Sequence, residues 1–331
     1  MGNHKTRLTS AEMSGLWTQY MTDSASTHVL PYFLAHMKDD AIRPVVEKSL
    51  QIAEGNLSFL ATLFEGENFP IPVGFTQEDA DTHTPRLFSD MFCLAYLKYM
   101  TVAQMTASTL AIGLSTRSDV VNFHDNTLME TVQLHETIKN VQLDKGIYIR
   151  PPYIPMPAET EFVTDQRFLG TVIGHQRPVT TAEIAHMYVN METNIIGKDM
   201  MMAFAQVAEN KKLRHYFTRG KNMANKHTKQ LSKLFLENDL PAPMPWDVPI
   251  TDSKVAPFSD KLMLFLVSAW SATGVSKYGL AMGASPRKDI GIKYGLLLAA
   301  VTLFAEDGEN LMIDNGWLEE PPQAPDHTKH R

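Results

Sequence analysis

Apolar residues recur along this chain with the three-and-four spacing of amphipathic helices, and almost no run alternates with period two. Val46, Leu50, Ala53, Leu57, Leu60 and Phe64 draw one coiled-coil-like seam along a single helix. Two capping boxes, Thr9-x-x-Glu12 and Thr180-x-x-Glu183, open helices that the pattern carries to about Met37 and about Ala208. A second helix follows each after very few residues and ends before a proline-containing loop, residues 65–85 or 236–256. Pro85 and Pro257 read as first-turn prolines opening a third helix, which Gly113 and Gly283 close as left-handed caps. Ser115 and Ser285 then read as caps of a fourth helix that ends at Gly146 or Gly316. The expectation is an all-helical chain without strands.

The same order of signals occurs twice. Leu8-Thr9-Ser10-Ala11-Glu12 is matched by Val179-Thr180-Thr181-Ala182-Glu183, an offset of 171. Phe88-Ser89-Asp90 is matched by Phe258-Ser259-Asp260, an offset of 170 that persists to the end of the repeat. It pairs Gly113 with Gly283, Arg117 with Arg287, Asp144-x-Gly146 with Asp314-x-Gly316, and Pro151-Pro152 with Pro321-Pro322. The chain is a tandem duplication.

Loop lengths suggest the topology. Helices one and two, and three and four, are joined too tightly for anything but antiparallel hairpins, whereas about twenty residues separate helices two and three. One long crossover between two hairpins is the ferritin-like arrangement. The fold class expected is therefore two tandem ferritin-like four-helix bundles, residues 8–150 and 179–318. A proline-rich linker, 151–178, joins them, and a tail from 319 to 331 is expected to be disordered. Within the linker, the half-apolar stretch 162–174 is expected to pack against the body.

Composition narrows the classes of function. Of 331 residues, 44% are hydrophobic and 20% charged, an ordinary globular balance. Thirty Lys and Arg against 37 Asp and Glu leave a net charge of -7, which offers no polybasic footprint for nucleic acid. The basic stretch Lys211-Lys212-x-Arg214 with Arg219-x-Lys221 reads as a solvated face. The longest apolar runs are far shorter than the roughly 20 residues of a membrane-spanning helix, and the polar N-terminus does not resemble an export signal. A cytoplasmic protein, with no membrane insertion and no nucleic-acid partner, is the expectation. Cys93 lies in the apolar run Met91–Ala95 and reads as an inert core thiol, and the 19 methionines read as core filler.

A ferritin-like bundle raises the question of a carboxylate-bridged iron or manganese pair. That chemistry needs Glu-x-x-His on two helices and a Glu on each of the others. The one Glu-x-x-His, Glu183-x-x-His186, falls in the first turn, where Glu183 already serves as a cap, and its counterpart is Glu12-x-x-Gly15. Asp23, Glu54 and Glu130 lie near mid-height of their helices, but Leu57 and Gln133 stand where histidines would complete the pattern. Glu54 and Glu130 also sit at the flanks of their apolar stripes, where charges reach solvent. The fourth helix of the first copy is more unusual. Val120, His124, Thr127, Thr131, His135 and Ile138 share one face, where the second copy has Ile290, Tyr294, Leu297, Val301, Ala305 and Gly308. Either those polar groups satisfy one another across the core, or they line a small polar cavity. His124 and His135 are too far apart to share a metal, about 16 Å at 1.5 Å per residue.

The paired openings at residues 8–12 and 179–183, with the Asp-x-Gly and Pro-Pro endings at 144–152 and 314–322, resemble a family of unknown function from spore-forming Bacillus relatives. That family is similar to the spore coat protein F group, and the resemblance spans about residues 8–325. It implies a ferritin-like fold and brings no catalytic motif. Two readings follow. The first is a structural or interaction protein, spore-coat or stress associated, with no catalytic residues, no cofactor, and homo-oligomeric or coat-type protein partners. The alternative is a ferritin-like metal-binding oxidoreductase or small-ligand binder using the polar interior of the first bundle. Its candidates are Asp23, Glu54, Glu130, His124 and His135, with iron or manganese as cofactor.

Overall fold

The computed structural model describes residues 6–171, 174, 176–243 and 250–325. Among these, eight long helices carry the fold: α1 Ser10–His36, α2 Arg43–Glu67, α3 Asp90–Leu114, α4 Ser118–Asp144, α5 Thr181–Val207, α6 Lys211–Leu236, α7 Asp260–Gly283 and α8 Lys288–Asp314. Both capping boxes form. Thr9 and Thr180 accept from the amides of Glu12 and Glu183, whose carboxylates accept from the cap amides in return.

Helix neighbours settle the topology. Besides the hairpins α1–α2 and α3–α4, α1 packs on α3 and α2 on α4, and the second copy repeats this with α5 on α7 and α6 on α8. In an up-down-up-down bundle, the second helix would lie beside the third. Here the crossover carries the chain along the bundle, so the third helix lies beside the first, the ferritin-like order. All these neighbours run antiparallel: the start of α1 meets the end of α3 through Glu12 and Thr116, and the end of α1 meets the start of α3 through Lys38 and Asp90.

Several local expectations are corrected. Pro85 and Pro257 lie outside the helices, which begin later under Ser89 and Ser259, each accepting from the amide three residues on. Neither Gly113 nor Gly283 is left-handed; the left-handed glycines of this type are Gly146 and Gly316, both at φ 68°. Ser115 and Ser285 do not cap α4 and α8 but bond back to the carbonyls of Ala111 and Ala281. The N-caps are Arg117 and Arg287, without side-chain caps. The reason is long-range: Glu12 accepts from the amides of Thr116 (2.8 Å) and Arg117 (2.9 Å), so the turn is held by an acid from α1. In the second copy Pro286 has no amide to offer, and the Arg177 guanidinium takes the vacant side of Glu183 at 2.9 and 3.0 Å.

The two copies are fused rather than strung. One apolar core runs through both, from Phe33 and Phe88 to Phe204, Phe258 and Trp270. Tyr99 of α3 stacks on Trp270 of α7 with centroids 3.5 Å apart, and its hydroxyl donates to the Trp270 carbonyl. The two crossovers touch through isolated bridges, Ala80 with Phe258 and Phe88 with Ile250. The tail is also anchored at its first residue, since Glu319 accepts from the amides of Val73 and Gly74 at 3.0 and 2.6 Å. Of the stretch 162–174, Phe168 packs under Arg177 while Phe162 is 87% exposed, so only its later part meets the body. Residues 172 and 173 lie outside the described residues.

Close approach at the junction gives a first prediction. A Cβ on Gly197 of α5 would stand 2.6 Å from Trp270 Nε1, whereas one on Gly113 meets nothing within 4 Å. Gly197→Ala therefore displaces the indole from Tyr99 and lowers stability by about 1–3 kcal/mol, as overpacking does. Gly113→Ala, measured in the same urea titration, is neutral to stabilising by up to about 1 kcal/mol.

Candidate functional site

The interior of the first bundle is polar because its four helices turn amides, hydroxyls and a carboxyl inward, and at some of these places the second bundle has rings instead, Tyr278 for Ser108 and His227 for Asn56. Gln19 and Asp23, one turn apart on α1, both point inward. Gln19 donates to Asp23 at 2.7 Å and exchanges hydrogen bonds with Gln104 of α3 at 2.8 and 3.2 Å. Gln104 continues the chain to Ser108 at 2.9 Å. On the other side, Thr127 of α4 donates to Asn56 of α2. Asp23 and Asn56 face a cavity of about 70 Å³, room for about two waters. Burial pushes the Asp23 carboxyl up to about 7, even though the Gln19 amide favours the charged form. In the second copy, position 108 becomes Tyr278, whose hydroxyl accepts from Asn194 at 2.7 Å and meets His227 at 3.0 Å. A phenol thus braces the interior that Ser108 leaves open.

Beside this interior lies a larger space. A groove of about 440 Å³ runs beside α1 from Ala11 to Ser26, with α3 as its second side and α7 of the other copy as its wall. Small residues make the room: Gly15 and Ser14 on α1, Ala103, Ala107 and Ala111 on α3, Ala269 and Ala272 on α7. His124 of α4 lies at its floor beneath Gly15, whose Cβ position is 3.6 Å from Nε2. The ring is buried, neither nitrogen has a partner, and burial alone pushes it down to about 4. It is neutral at physiological pH. In the second copy, His186 replaces Gly15 and Tyr294 replaces His124.

The five candidates from the sequence are not brought together. Asp23 and His124 are buried in separate settings. Glu54 is exposed on α2. Glu130 pairs with Lys48 at 2.8 Å on a half-exposed surface. His135 is half-buried, with Nδ1 2.8 Å from the Thr101 hydroxyl, and burial followed by the Lys98 charge lowers its basicity. Among the described residues, no three His, Cys, Asp or Glu side chains are grouped to hold a metal ion. Gln19, Gln104, Gly15 and the α7 wall were not singled out by the sequence. The exchange of Ser108 for Tyr278 between copies was the available signal.

Comparison with known proteins bears on this arrangement. The model of the family described as "Protein of unknown function (DUF3231)" matches twice, over residues 1–159 and 167–329. The chain belongs to that family. The double match repeats the duplication read from the residues, and DUF3231 carries no assigned reaction. No curated protein matches the chain. Among solved structures, a crystal structure of a "putative spore coat protein" from Bacillus halodurans C-125 is 19% identical. The match covers 47% of this chain and 100% of that one, with a TM-score of 0.42. No helix is long and apolar enough to cross a membrane among the described residues.

Proposed function

We propose that the first bundle is a receptor for a small, uncharged, mostly apolar molecule with one hydroxyl-type end, and that the second bundle is its wall and brace. His124 carries this reading. An imidazole with both nitrogens buried and unpaired costs about 1–3 kcal/mol, and it lies at the floor of a groove within the usual size range of ligand sites. A neutral imidazole offers one donor and one acceptor, which a hydroxyl can match at once. It offers no charge to an anion.

A straight-chain alcohol is the natural probe. Decanol, decane and decanoate are titrated against the full chain, read by the fluorescence of Trp270, which lines the groove. Decanol is expected to bind more tightly than decane by about tenfold, the worth of a buried hydrogen bond, with decanoate weakest. His124→Phe should erase the preference for decanol over decane while leaving the thermal melt in place. Equal affinity for all three probes, or no binding, would sink the reading. This reading invokes no metal ion. Spore association, implied by the family resemblance, is a separate proposal, tested by where the native protein fractionates.

A further inference from the structure

The outer face of the second hairpin carries an apolar stripe that the first copy lacks. On α8, Ile292, Leu296, Ala299 and Leu303 follow one another at steps of four, three and four, and all are exposed. The three large ones are exposed by 49%, 69% and 64%. Met282 of α7 extends the patch beside Gly295. At the same positions the first copy has Asn122, Asn126, Met129 and Gln133. Core packing within the chain does not account for the difference, since both sets face outward.

We infer that α8 is a self-association surface, on which a second copy of this chain packs its own α8 antiparallel about a two-fold axis near Leu297 and Leu298. This does not depend on the ligand reading. The spacing is self-complementary: with the axis there, Ile292 meets Leu303 of the second copy and Leu296 meets its Ala299, as an isologous contact requires. A three-and-four stripe is also the seam by which antiparallel helices interdigitate. Charge points to the same orientation. Lys288 stands at the first residue of α8, where a positive charge runs against the helix macrodipole, and Glu306, Asp307 and Glu309 lie toward the other end. Antiparallel pairing lays each Lys288 against the acidic end of the other helix, whereas parallel pairing would set like against like. Lys288 and Glu306 continue the stripe at its two ends, both are exposed, and neither has an ion-pair partner among the described residues, whereas Asp307 pairs with Arg219.

The test is sedimentation equilibrium of the full chain. The chain is expected to dimerise, and Ile292→Asn with Leu296→Asn and Leu303→Gln should raise the dimer dissociation constant at least about tenfold. These residues already occupy the matching register of the first copy, so folding should survive, which a thermal melt checks. Lys288→Glu alone and Glu306→Lys alone should each weaken the dimer, and the two together should restore it. A chain that is monomeric at every concentration overturns the inference. So does a dimer unaffected by the triple variant, which would place the contact on another face. Failure of the charge exchange to restore association overturns the antiparallel arrangement.

Discussion

Asp23→Asn is expected to stabilise the chain by about 4 kcal/mol at pH 8 and to change little near pH 4. In the fold the carboxyl titrates at about 7, against its ordinary 3.8, a difference worth about 4 kcal/mol at 1.36 kcal/mol per pH unit. Its sign follows from proton binding. Between pH 4 and 7 the folded chain holds a proton that the unfolded chain has lost, so stability falls as pH rises through that window and then levels off. Asparagine cannot ionise, keeps an oxygen for the Gln19 amide, and has nearly the same shape. The duplication supplies its own precedent, since Asn194 stands at the equivalent place in the second copy and is buried there. Urea titrations at pH 4, 6 and 8 check this. A wild-type chain whose stability does not fall relative to Asp23→Asn across that range would refute the assignment.

Glu12→Gln is expected to do the opposite, removing about 3 kcal/mol at pH 7. Burial alone would raise this carboxyl, but the amides of Thr9, Arg117 and Thr116 outweigh it and hold it down at about 2, against an ordinary 4.5. That gap is worth about 3 kcal/mol at 1.36 kcal/mol per pH unit. Here the unfolded chain binds the extra proton, so the stabilisation is complete above pH 4.5 and lost as pH falls toward 2. Glutamine would turn a donating amide toward one of the N–H groups the carboxylate now satisfies. The loss should appear in urea titrations at pH 7 and shrink steadily below pH 4. A constant deficit at all pH values would mean packing, not charge, sets the cost.

The two variants also measure how far the sequence reaches. Glu12 was legible as a cap because a capping box is a local pattern, four residues long. Its second task, holding the turn before α4, was not, because Thr116 lies 104 residues away. The helices and the crossover topology were readable for the same local reason: spacing and loop length act within a few turns. Ser89 displaced Pro85 as the start of α3, since a side-chain oxygen can satisfy an orphan amide that proline merely tolerates. At the site, the half-polar face of α4 correctly pointed inward at His124, Thr127 and Thr131. What the pattern could not supply was the other side. Gln19, Gln104 and the α7 wall reach the site through pairings between helices, and between copies, that leave no periodic trace in the chain.

The anchoring of Glu319 on Val73 and Gly74, together with the core shared by Phe88, Phe204 and Trp270, bears on synthesis at the ribosome. A nascent chain that has just delivered α4 cannot yet bury the face of α3 that stacks on Trp270, nor secure the first crossover. Those contacts wait for α5, then α7, then Glu319. Until α7 arrives, the face of α3 around Tyr99 lacks its Trp270 cover. Glu319 thus clasps a loop made some 245 residues earlier.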